Sequence, residues 1–213
     1  MNDFFILVFQ LAVLLFSVIL HEVSHGLAAL RLGDETAKHA GRLTLNPLKH
    51  LDAFGSFILP ISLYILSGGG FILGWAKPVP YNPFNLKNPK LGAGIIAAIG
   101  PASNLLIAIV FGIILRLIFP FVEIPLIANL AILFSLIIFI NILLAVFNLV
   151  PLPPLDGSNI LFALLPERWR AVRDFLVRYG FWLLVAFIFF GFQFIVPIIT
   201  TLYALITGPA GAF

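Results

Sequence analysis

The sequence predicts an all-α polytopic membrane protein, on three observations. Of its 213 residues 62% are hydrophobic and only 10% charged, and the mean hydropathy is +1.14; soluble domains carry about 25% charged residues. Four apolar runs reach the roughly 20 residues that a helix needs to cross a hydrocarbon core of about 30 Å: Phe4 to Leu32, Leu91 to Phe119, Leu126 to Phe147, and Phe181 to Ile206, the last interrupted by Pro197. The Lys and Arg residues fall in short segments beside these runs, not in a long basic tract, so the net charge of +3 points to membrane topology and not to nucleic acid. Within lipid each span must satisfy its own backbone polar groups, which makes the spans helices. About four to six transmembrane helices are expected, with one re-entrant segment and one helix broken at a proline-rich stretch.

The first run differs from a signal peptide: Asp3 stands where a positive n-region belongs, and the run is about twice as long as an apolar core of 7–15 residues. It is expected to stay as a spanning helix. Phe54 to Leu66 is apolar for only about 13 residues before Gly68, Gly69 and Gly70, a length that suits re-entry of the 54–73 region. Its return places Arg31, Lys38, Arg42, Lys49, Lys77, Lys87, Lys90, Arg168, Arg170, Arg173 and Arg178 on one face and leaves Arg116 near the other. By the positive-inside rule that face is cytoplasmic and the N-terminus lies outside. Pro166 to Arg178 reads as an amphipathic piece at an anionic leaflet. Trp75, Tyr81 and Trp169 fit an interfacial aromatic belt, and His39 and His50 read as surface or interfacial histidines. No polar segment is long enough for a core of its own, so residues 1–213 are expected to form one membrane domain.

The chemistry begins at His21-Glu22-Val23-Ser24-His25. On a helix, residues four apart share a face, so both imidazoles can hold one metal ion with the glutamate beside it as a base. Each ionisable group at a helix centre costs at least about 2.5–3.5 kcal/mol, which favours a functional site over a pair of buried, hydrogen-bonded histidines. Without cysteine, further ligands must be nitrogen or oxygen, and a catalytic zinc normally takes three protein ligands. Arg31 occupies the place of the last histidine of the extended H-E-x-x-H-x-x-G-x-x-H pattern, leaving Asp34, Asp52 and Asp156 as candidates. Asp156 directly follows the third long run, and if the 54–73 region returns to its own side, that run delivers it to the level of the histidines. Pro151, Pro153 and Pro154 break the helix there, and an unwound segment at membrane depth lines a wet cavity or is buried. Asn148 would face that cavity with an amide able to pair with a peptide backbone, while Gly157 reads as a turn. Asn104, in the second long run, needs no more than an interhelical hydrogen bond.

With Gly100-Pro101-x-x-Asn104, Asn148-x-x-Pro151-x-Pro153-x-Leu155-Asp156-Gly157 and the stretch Gly74 to Pro83, the sequence resembles the site-2 protease family of intramembrane zinc metalloproteases, in its compact bacterial branch. The resemblance implies one zinc ion per chain held by His21, His25 and Asp156, Glu22 as the catalytic glutamate, and Asn148 holding the substrate strand. It implies transmembrane proteins as substrates, membrane lipids as surroundings and a bacterial cell membrane as location, with the active site near the cytoplasmic side. The rival is a metal transporter or metal-binding sensor built on the same ligands. It leaves Glu22 without a task, and above Ser17 the first helix offers only Gln10 as a polar path.

Overall fold

The computed structural model describes residues 2–52 and 77–211, together with Ile58, Ser62 and Ile65. Most of the 54–73 region, the glycine run Gly68 to Gly70, and Trp75 lie outside the described residues. Among the described residues there is no strand, and the α-helices come in this order: α1 Asp3–Arg31, the single turn α2 Thr36–His39, α3 Pro89–Ile118, α4 Pro125–Asn148, α5 Asp156–Leu164, α6 Arg170–Ala186 and α7 Val196–Thr207, with short 3-10 turns and irregular stretches between them. Four helical stretches are long and apolar enough to cross a membrane, namely Asp3–Arg31, Pro89–Phe121, Pro125–Asn148 and Glu167–Phe194.

Local sequence sets the ends. Asn2 caps α1 by accepting the Phe4 N–H at 3.1 Å, and Asn88 caps α3 by accepting that of Leu91 at 3.1 Å. Pro89 and Pro125 open their helices where a missing N–H does no harm. Gly33, at φ 102°, ends α1 in a conformation that a side chain would strain.

Helix α3 is central, packing on α1, α4, α5 and α7. The contacts His25–Ile96 and Ser17–Asn104 show that α1 and α3 are antiparallel, so the chain leaves α1 and enters α3 at the same level. The Lys77 N–H donates to His50 O at 2.8 Å, so the two ends of the intervening segment meet. The chain therefore returns to the side it left, as the charge pattern requires. Every Lys and Arg except Arg116 lies toward this end of the bundle; Arg116, in the last turn of α3, donates to Leu205 O.

Away from that end, Ala108, Leu115, Ile138, Ile142 and Ile199 form the core. Phe4, Leu117, Phe190 and Phe194 expose large apolar surfaces, as lipid-facing residues do.

The C-terminal region differs from the expected Phe181 to Ile206 span. The crossing helix begins at Glu167, loses its regular ladder over Phe187–Gly191, and hands over to a separate helix at Val196. Nothing between Arg170 and Ala186 breaks a helix, so the basic piece is the foot of the span and not a separate surface helix. Pro197 sits in the first turn of α7, where proline opens a helix instead of kinking one.

A candidate metal centre

The two histidines lie in the last third of α1 and are only 6% and 9% exposed. The proline-broken stretch 149–155 ends α4 and starts α5 with Asp156 as its first residue. Gly157 fits close against that bend: a β-carbon there would overlap Leu149 O and Val150 O, so its role is close approach, in place of the expected turn.

Three ligand atoms converge. Asp156 Oδ2 lies 3.0 Å from His21 Nε2 and 3.2 Å from His25 Nε2, and the two Nε2 atoms are 3.0 Å apart. Asp156 thus takes the place left open among the three aspartates, and Asp34 and Asp52 are outside the group.

Hydrogen bonds behind the imidazoles fix which nitrogen carries the proton. His25 Nδ1–H donates to Ile96 O at 2.7 Å, an acceptor only. For His21 the direction passes along a buried chain. Ile137 O can only accept, so it takes the Asn141 amide NH2 at 2.9 Å. Asn141 Oδ1 then accepts from Asn104 Nδ2 at 2.9 Å. Asn104 Oδ1 is left to accept from His21 Nδ1–H at 2.7 Å. With both Nδ1 atoms donating behind the rings, the two Nε2 atoms face one another and a carboxylate oxygen. That arrangement fits zinc: at bonds of about 2.0–2.1 Å, tetrahedral ligand atoms stand about 3.3 Å apart. Gly100 makes room for the rings, since a β-carbon there would overlap His25 Nε2 and crowd His21 Cε1.

The centre opens into a cleft of about 190 Å³ that Glu22, Val79, Tyr81, Asn148, Pro154 and Asn159 help to line. Glu22 Oε2 accepts the Val79 N–H at 2.9 Å. Pro78 and Pro80 have no N–H, so Val79 supplies the one backbone donor among residues 78–80 of the strap that runs from 77 to 85. Asp34, fully buried, anchors the same strap by accepting Asn82 N–H and Asn85 Nδ2, both at 2.7 Å, and the Thr36 N–H and hydroxyl. Burial pushes the Asp34 carboxyl up, but these donors outweigh it and hold it below the ordinary carboxylate value. Asn148 donates its NH2 to Leu144 O at 2.9 Å.

Several expectations change. Tyr81 lines the cleft, and its phenol is pushed up by burial and by the nearby Asp156 charge. His50 is 1% exposed and bonded to Thr44 O at 2.7 Å, whereas His39 is on the surface beside Glu35. Asn104 supports the site directly. Ser17, Asn141, Val79 and Asn159 were not singled out by motif, although a polar side chain inside an apolar span is itself a signal.

The model of peptidase family M50 matches residues 124–190, a stretch that holds Asn148 and Asp156 but not the histidines. The chain is 37% identical over 171 residues to YwhC of Bacillus subtilis (strain 168), named as a candidate zinc metalloprotease; the match covers 79% of this chain and 74% of that protein. It is also 36% identical over 98 residues to Rip2 of Mycolicibacterium smegmatis, named likewise, covering 45% of this chain and 35% of that protein. No solved structure matches significantly. With that relationship running along most of its length and a His-His-Asp convergence between the first membrane helix and the bend after the third, the chain belongs to peptidase family M50, the site-2 proteases, and is a membrane metallopeptidase.

Proposed function

We propose that the protein is a zinc-dependent intramembrane endopeptidase that cleaves other membrane proteins within or near their transmembrane segments. His21, His25 and Asp156 hold one zinc ion per chain, and Glu22 is the general base. The single observation that carries this reading is the convergence of two Nε2 atoms and a carboxylate oxygen at 3.0–3.2 Å, with Glu22 on the same cleft. Zinc bound there would supply a Lewis acid for the scissile carbonyl and an acidified water, its pKa lowered to about 7.

The chain's own residues do the rest. Glu22 takes a proton from the attacking water and later gives it to the leaving amine, a role worth about 10²–10⁴-fold in rate. The Val79 N–H orients the Glu22 carboxylate. Because the Asn148 NH2 is tied to its own helix, its Oδ1 is the group free to accept an N–H from an unwound substrate strand. The clustering of cations at the metal end supports a cytoplasmic-side site in a bacterial cell membrane, and residues 1–213 act as one membrane domain. A transport path is disfavoured: beyond His21 the Ser17–Asn104–Asn141 hydrogen bonds close on themselves below the fully buried Ile138 and Ala108.

The test uses the full chain in liposomes with a labelled single-span substrate. Native protein should cleave it, lose activity to a chelator and regain it with zinc. Glu22→Gln should bind one zinc and cleave nothing, while His21→Ala and Asp156→Ala lose the metal. Normal turnover by Glu22→Gln refutes the assignment.

A further inference from the structure

A second cavity, of about 280 Å³, lies at the foot of α6, away from the metal. Lys90 from the first turn of α3, Phe162 and Leu165 from the end of α5, and Trp169, Arg170 and Arg173 from the start of α6 line it. We propose that it binds the headgroup of one anionic phospholipid.

The chemistry favours a phosphate. Neither the 3-10 turn Glu167–Trp169 nor α6, which continues it, carries a side-chain cap, and Glu167 and Arg170 both line the cavity, so the positive end of the helix dipole lies beside it. Arg173 lies over the Phe162 ring, 5.6 Å from its centroid, and no carboxylate among the described residues pairs with it. Lys90 Nζ is held at the rim by Leu165 O at 2.5 Å.

Two carboxylates also line the cavity, and their pairs are loose. Glu167 reaches Lys90 at 3.5 Å with its side chain 83% exposed, and Asp174 reaches Arg170 at 3.9 Å with its side chain 69% exposed. Solvated pairs of this kind contribute little. A guanidinium gains by exchanging one for a two-pronged contact with phosphate.

Position favours a lipid over free phosphate. The cavity sits where the spans Pro89–Phe121 and Glu167–Phe194 begin, and half-exposed Trp169 marks headgroup level. Above it Phe175 and Val177 expose apolar surface for acyl chains. Only 6% of the apolar window of the α6 span is buried by the rest of the protein, which leaves that face open for acyl chains.

The full-length protein in detergent is titrated with dioctanoyl phosphatidylglycerol or dioctanoyl phosphatidylcholine and read by native mass spectrometry. One phosphatidylglycerol should be retained, at least about tenfold more tightly than phosphatidylcholine. Arg170→Gln with Arg173→Gln should weaken it about thirtyfold, the effect of two cations near an anionic headgroup. Arg168→Gln with Arg178→Gln removes the same charge from outside the cavity and should change binding less than about threefold. Equal loss in the two double variants, equal retention of the two lipids, or displacement of the lipid by an equal concentration of inorganic phosphate overturns the proposal. If the cavity variant does not fold, the headgroup preference of the native protein decides.

Discussion

Asn104→Ala probes the chain of amides behind the metal centre. Asn104 is fully buried; its Oδ1 takes the His21 Nδ1 proton and its NH2 serves Asn141. Truncation leaves two buried groups without partners, each costing about 1–3 kcal/mol, so the metal-free protein should lose about 2–6 kcal/mol. It also frees His21 to carry its proton on Nε2, the nitrogen that the metal needs bare. Removing such a support lowers metal affinity about 10–100-fold, or about 1.4–2.7 kcal/mol. Asn104→Asp keeps an oxygen facing His21 but no longer donates to Asn141, so it should hold zinc close to normally while melting lower. Zinc affinity is read by competition with a fluorescent chelator and stability by thermal melting in detergent. A folded Asn104→Ala protein that binds zinc within about threefold of native affinity refutes the tautomer argument.

Other positions separate the parts of the site. Gly157→Ala pushes Asp156 against the backbone of residues 149–150; overpacking of this kind costs about 1–3 kcal/mol, and zinc per chain, measured by elemental analysis, should fall, so a full zinc complement would contradict the close-approach role. Val79→Pro deletes a single N–H, and a hydrogen bond to a charged group is worth about 1.5–3 kcal/mol. It should keep its zinc and lose about tenfold or more in turnover, and native turnover would show that Glu22 does not need the strap. Asp34 is held below its unfolded value, about 3.9, so its contribution is present above about pH 4 and lost as pH falls through the folded value. Native protein should therefore melt well above Asp34→Asn at pH 6, with the gap closing toward pH 3; parallel curves would exclude the carboxylate clamp.

The spans, the return of the chain after α1 and the meeting of His21, His25 and Asp156 were legible in the sequence because each rests on a local or compositional rule. Apolar length marks a helix, H-E-x-x-H marks one face, and Pro151 to Pro154 mark a break. The supports of the site were not legible, because they depend on which residues meet across helices. Asn104 and Asn141 are 37 residues apart, and Val79 reaches Glu22 from 57 residues away. Nor does the start of the α6 span follow from hydropathy, since four arginines disguise a helix whose backbone runs on unbroken from the basic foot into the apolar part. His50 read as a surface group because its neighbours are polar, yet it is buried where its backbone pairs with Lys77 at the base of the returning segment.

His25 and Asp156 are separated by 131 positions, and that distance orders events during synthesis. A nascent chain carries both imidazoles into the bilayer long before the carboxylate leaves the ribosome. Until the third span has been threaded and its proline bend has folded back, the His-His-Asp group is incomplete. On the proposed ligand set, competence to bind zinc would therefore arrive late in biogenesis.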